Sequence, residues 1–105
     1  MKFIETPIFT ETVQALLEDD EYKSLQVALL LRPEQGSIIP GSGGLRKVRW
    51  ASKGKGKRGG LRVIYYWDKK TESFYMLFVY SKSKKDDLSQ DQLQILSQLV
   101  REELK

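Results

Sequence analysis

Three segments between residues 45 and 80 fix most of what this chain can become. Leu45 to Ala51 places Val48 and Trp50 on one parity and Lys47 and Arg49 on the other. Leu61 to Trp67 sets Val63, Tyr65 and Trp67 against Arg62, Ile64 and Tyr66. Side chains alternate across a strand, so each segment reads as a strand with one face on a core. Phe74 to Tyr80 is apolar on both parities, which predicts a central strand covered on both sides. The glycine-rich SKGKGKRGG reads as the hairpin loop between the first two strands, and Asp68 to Ser73 as the turn before the third. The result is an antiparallel three-strand meander.

The flanking sequence supplies the layers. Lys2 to Ile8, with Phe3, Ile4 and Ile8 around Pro7, predicts a short edge strand, because proline cannot donate to a ladder. Thr10 or Thr12 is a candidate cap for a short helix running to Leu17. The acids Glu18 to Glu21 open a second helix, in which Tyr22, Leu25, Ala28 and Leu29 recur at helical spacing until Pro33 stops it. Glu34 to Gly44 is turn-rich and is expected to be a loop. Ser89 and Gln92 resemble a capping box, and Leu93, Leu96, Leu99 and Val100 then define an amphipathic helix to about Glu103. The expected fold is α+β: an N-terminal strand and helical hairpin, the meander, and a C-terminal helix, in one domain over residues 1–105.

Composition removes several kinds of chemistry. The 105 residues include no cysteine and no histidine, which excludes disulfides, thiolate catalysis, Ser-His-Asp systems and nearly all zinc sites. The absence of cysteine suits reducing cytosol, so a cytoplasmic location is expected. No apolar run reaches the roughly 18 residues of a membrane span, and the N-terminus lacks the pattern of a signal peptide.

Charge is what remains, and it is concentrated. Residues 1–45 carry −4 and residues 63–105 are neutral, whereas residues 46–62 carry eight cations and no acid. Such a block repels itself unless a polyanion faces it, and clustered Lys and Arg mark a phosphate-binding surface. An exposed sheet face that simply carries long polar side chains explains one or two of these cations. Strand periodicity, however, gathers Lys47, Arg49, Arg62 and Tyr66 on one face, with Lys82 just past the third strand and Lys53, Lys55, Lys57 and Arg58 in the hairpin loop.

A face of this kind can hold RNA, and it can also cut RNA without metal, cofactor or histidine. When the ribose 2′-OH attacks the adjacent phosphate, the substrate supplies its own nucleophile. The protein must then hold the phosphate in line, stabilise the added charge and move two protons. Arg49 and Arg62 suit the charge role, since a guanidinium is a fixed fork that stays protonated. Lys47 and Lys82 suit proton transfer, because neighbouring cations favour a neutral amine. The lack of carboxylates in residues 46–62 argues against a magnesium site there.

The segment GSGGLRKVRWASKGKGKRGGLRVIYYW, followed by FYMLFVYSKSKKDDLS, resembles the RelE/HigB toxins of bacterial type II toxin–antitoxin systems. The specific parts are the basic glycine-rich hairpin running into R-V-I-Y-Y and the later Y-S-K-x-x-K-D-D-L-S. The resemblance implies a RelE-like fold and a ribosome-dependent endoribonuclease, or mRNA interferase, that inhibits translation and leaves 2′,3′-cyclic phosphate and 5′-hydroxyl ends. It also implies a cognate antitoxin, often with a helix-turn-helix, through which alone the operator DNA is bound. By position, Lys47 and Arg49 look like the paired basic residues of the first meander strand, Arg62 like the arginine of the second, and Lys82 like the basic residue after the last. Arg46, Lys53, Lys55, Lys57, Arg58 and Tyr66 are then expected to bind RNA or ribosome. The position of a catalytic tyrosine in some relatives is taken here by Leu88, unless Tyr66 or Tyr80 assumes that role. Two rivals stand beside this reading: a ParE-like toxin that poisons gyrase without cleaving RNA, and an inactive RNA- or ribosome-binding domain.

Overall fold

The computed structural model describes residues 1–51, 60–82 and 88–103. Their elements run β1 (Lys2–Glu5), α1 (Pro7–Leu16), α2 (Asp19–Leu31), β2 (Ser37–Ile38), β3 (Arg46–Trp50), β4 (Leu61–Asp68), β5 (Ser73–Ser81) and α3 (Gln90–Glu103). One five-stranded sheet has the order β1-β5-β4-β3-β2. The expected meander β3–β4–β5 is its antiparallel centre. The fold is α+β, as expected, with two edges that extend the meander.

Those edges are where the sequence reading is corrected. β1 ends at Glu5, pairing in parallel with β5, and Pro7 belongs to α1. A proline at the first helical position gives up an N–H that would be unpaired there anyway. Thr6, not Thr10 or Thr12, caps the helix, its Oγ1 accepting from the Phe9 N–H at 3.1 Å. Thr10 instead donates to the Glu5 carboxylate at 2.5 Å. At the other edge, the stretch expected to be loop contains β2, two residues paired antiparallel with β3.

Both faces of the sheet are covered, each by its own cluster. On one face Phe9, Val13 and Leu17 of the first helical segment and Leu25 and Leu29 of α2 pack on Val48, Leu61, Val63, Tyr65, Phe74, Met76 and Val79. Phe74 is the hub: it stacks on Phe3 at 4.7 Å and meets Trp67 at 4.5 Å. Trp50 and Trp67 are half-buried under these helices, as periodicity predicts. On the opposite face Leu96 and Val100 of α3 cover Leu45, Ile64, Tyr75, Leu77 and Tyr80. The Ser89–Gln92 capping box that starts α3 is reciprocal, with bonds of 3.0 and 3.1 Å. Among the described residues, no helix is long and apolar enough to cross a membrane.

Candidate functional site

The register of β3, β4 and β5 decides which basic residues meet. Arg49 lies opposite Arg62, and Arg62 opposite Tyr80, so three strands contribute one transverse row. At strand spacings near 4.8 Å the row spans about 10 Å between its outer Cα atoms. Lys47 stands two residues along β3, on the same face, opposite Ile64. Lys82 follows β5 immediately, and its N–H donates to the Gly60 carbonyl at 3.2 Å. Gly60 itself holds φ at +61°, and a Cβ there would come within 2.9 Å of the Trp50 carbonyl oxygen. This close approach at the foot of the hairpin requires glycine.

The row is graded in exposure. Arg49 is open to solvent and Lys47 and Lys82 are half-buried, whereas Arg62 is only 6% exposed. Strand alternation alone sets Arg62 on the face turned away from the Val63–Tyr65 core, where it would be open; it is buried because α3 partly covers that face. Its Nη1 donates to its neighbour's carbonyl, Leu61, at 3.5 Å. None of the described sheet positions that share this end of the face carries a carboxylate. Likewise, the described residues gather no set of three His, Cys, Asp or Glu side chains with metal-binding geometry. Chemically, the arrangement offers fixed positive charge to a phosphodiester, with two amines at its margins.

A comparison with protein families matches residues 11–105 to the RelE toxin of RelE/RelB toxin–antitoxin systems. The chain belongs to the RelE toxin family. This RelE-family protein is therefore a toxin of a toxin–antitoxin system, and its membership implies a cognate antitoxin as partner. The match takes in every element of the site and all but the first strand and the opening of α1.

Not every candidate of the toxin joins the row. Arg46 alternates to the opposite face, where it lies across from Tyr65. There its Nη1 donates to the carbonyls of Glu34 (3.0 Å) and Gly36 (2.8 Å), and its Nη2 lies 3.9 Å from the Glu34 carboxylate. Tyr65 completes the clip, its hydroxyl donating to Pro33 O at 2.8 Å and accepting from the Gly36 N–H at 3.0 Å. Burial pushes the Tyr65 phenol above its ordinary pKa. Arg46 thus fastens the segment before β2 to the sheet. Tyr66 shares the face of Arg62 but lies four residues away, about 13 Å along the strand, with its ring tilted against Tyr75. Lys53, Lys55, Lys57 and Arg58 lie outside the described residues. Leu88 packs on the α3-side cluster and lines, with Lys47, Ile64, Leu93, Ile38 and Pro40, a groove of about 310 Å³.

Proposed function

We propose that this toxin is a ribosome-dependent mRNA endoribonuclease whose cutting inhibits translation and arrests growth in the cytoplasm. The observation that carries the reading is the alignment of Arg49 and Arg62 in one row, with Lys47 and Lys82 at its margins. In the proposed step the 2′-oxygen attacks the neighbouring phosphorus, and the bond from phosphorus to the 5′-oxygen breaks. The products are a 2′,3′-cyclic phosphate and a 5′-hydroxyl. Arg49 and Arg62 hold the phosphoryl oxygens as negative charge builds on them. One of Lys47 and Lys82 accepts the proton of the 2′-OH, and the other donates a proton to the departing oxygen.

The ribosome enters because a small domain presents few side chains for reading bases and gains from a template that holds mRNA in line. The basic block of residues 46–62 suits docking on ribosomal RNA. The antitoxin, carrying a helix-turn-helix, would neutralise the toxin and tether it to operator DNA. The test is translation of a defined mRNA in a purified system with the toxin added. New 5′-hydroxyl ends within ribosomal A-site codons, absent when the RNA is naked, are expected. A gyrase poison or an inactive RNA-binding domain leaves the message whole, and efficient cutting of naked RNA at physiological salt contradicts ribosome dependence.

A further inference from the structure

The row has a third member, Tyr80, and it reaches this position by an interruption of regular pairing. In β5, Phe74 and Met76 point toward α1 and α2, and strict alternation would send Phe78 and Tyr80 the same way. They do not follow. The ladder between β4 and β5 slips by one residue: Ile64 pairs with Phe78 but Tyr65 with Met76, so Leu77 is an extra residue on β5. Beyond this bulge the parity is reversed. Val79 packs in the cluster under α1 and α2, while Phe78 and Tyr80 join the α3 side. A β-bulge re-aims the side chains that follow it, and here it turns Tyr80 onto the face of Arg62.

The bulge is fastened rather than loose. Thr6, the cap of α1, donates its hydroxyl to the Leu77 carbonyl at 2.9 Å, and its N–H donates to the Met76 carbonyl at 3.1 Å. The displaced backbone is therefore held by the adjoining chain. Tyr80 is also anchored: it is 5% exposed and lies in the cluster with Leu96 and Val100. Arg62, at 6% exposure, has Tyr80 as its register partner on β5 and Arg49 as its partner on β3. Directly opposed side chains have Cβ atoms only about 5 Å apart. Two neighbouring guanidinium groups repel each other, so the inner one needs a rigid wall to stay in line.

We propose that Tyr80, turned by the Leu77 bulge, is a positioning residue that walls Arg62 into the orientation needed at the reacting phosphate. This rests on the endoribonuclease reading, and it concerns the aromatic ring rather than the hydroxyl. Replacing the ring by a smaller, flexible side chain frees Arg62 while leaving the docking surface intact. A misplacement of about an ångström at a reacting group can lower a rate by up to the order of a hundredfold.

The test compares Tyr80→Leu, Tyr80→Phe and Phe78→Leu in the full-length toxin, by ribosome affinity and by single-turnover cleavage of ribosome-bound mRNA. Phe78→Leu is the packing control, since it thins the same cluster one row away, opposite Ile64. Thermal melting of each variant identifies the temperature at which all are folded, and rates are taken there. The expected result is a rate constant at least about tenfold lower for Tyr80→Leu with ribosome affinity unchanged. Tyr80→Phe should recover most of that loss, and Phe78→Leu should cut like the wild type. An equal loss in Tyr80→Phe, an equal loss in Phe78→Leu, or a wild-type rate in Tyr80→Leu overturns the positioning role alone. A wild-type toxin that never cuts ribosome-bound mRNA overturns the endoribonuclease reading and this inference with it.

Discussion

Single residues here divide by the face they occupy, and the two neighbours Arg46 and Lys47 show it most plainly. Both belong to the same basic run, yet Arg46 is spent on the Glu34 and Gly36 carbonyls while Lys47 stands on the side of Arg62. Composition treats the two cations alike; strand parity separates them. Arg46→Ala is expected to destabilise the fold by about 1 kcal/mol, because it removes the charged donor from the part-buried Gly36 carbonyl and from the exposed Glu34 carbonyl. Urea unfolding reads that change, and single-turnover cleavage should stay close to wild type at a temperature where the variant is folded. Tyr22 provides a second residue-level expectation. Burial, reinforced by its 2.5 Å bond to the Glu5 carboxylate, raises its phenol well above the ordinary tyrosine value. A raised acid contributes stability below its unfolded pKa, about 10, and loses it as pH rises through the folded value. Stability should therefore fall above about pH 10, and Tyr22→Phe should flatten that fall while lowering stability near neutrality. Denaturant midpoints measured from pH 7 to 11 check both signs.

At the scale of elements, the strands of the meander and α3 were legible because their signals are local. Alternation names β3 and β4, a doubly apolar run names β5, and the Ser89–Gln92 pair marks the start of α3. The edges were less legible. Pro7 fits an edge strand as well as a helix start, and only the Thr6 cap decides between them. β2 is a two-residue pairing that no periodicity announces; it depends on Tyr65 and Arg46 drawing the preceding loop inward. The site was legible in part for the same reason. Lys47, Arg49 and Arg62 follow from parity within regular strands, whereas the facing of Tyr80 depends on the Leu77 bulge, which is a property of the ladder and not of the β5 sequence. The burial of Arg62 was hidden too, since it needs the position of α3. Thr6 joins these elements, capping α1 and holding the bulge. Thr6→Ala is expected to lower stability by about 1–2 kcal/mol through the lost cap alone, with some further loss from the freed Leu77 carbonyl. Thermal or urea unfolding beside a control at exposed Glu11, which should stay within about 0.5 kcal/mol of wild type, tests this.

The described residues form a sheet with an acidic helical layer on one side and cations on the other face. Exposed Glu11, Glu18, Asp19 and Asp20 belong to the first side, whereas Lys47, Arg49 and Arg62 share the other face of the sheet. A molecule polarised in this way approaches a polyanion with its basic face forward, and docking should weaken steeply as salt is added. In the proposed reading docking and cutting are separable at this scale: general phosphate attraction would be distributed over the basic block, while transition-state stabilisation would belong to Arg62, on the middle strand of three. Membership of the RelE toxin family makes the protein a toxin with an antitoxin partner; the row of Arg49, Arg62 and Tyr80 is the part that must do chemistry if the toxin cuts RNA. The most direct measurement is the single-turnover rate at which Arg62→Ala cleaves ribosome-bound mRNA, taken beside its ribosome affinity. The account predicts a rate lowered by a hundredfold or more, the order found for losing one fixed donor to a developing oxyanion, with affinity nearly unchanged. Wild-type cleavage by Arg62→Ala would contradict it and move the active site elsewhere on the toxin.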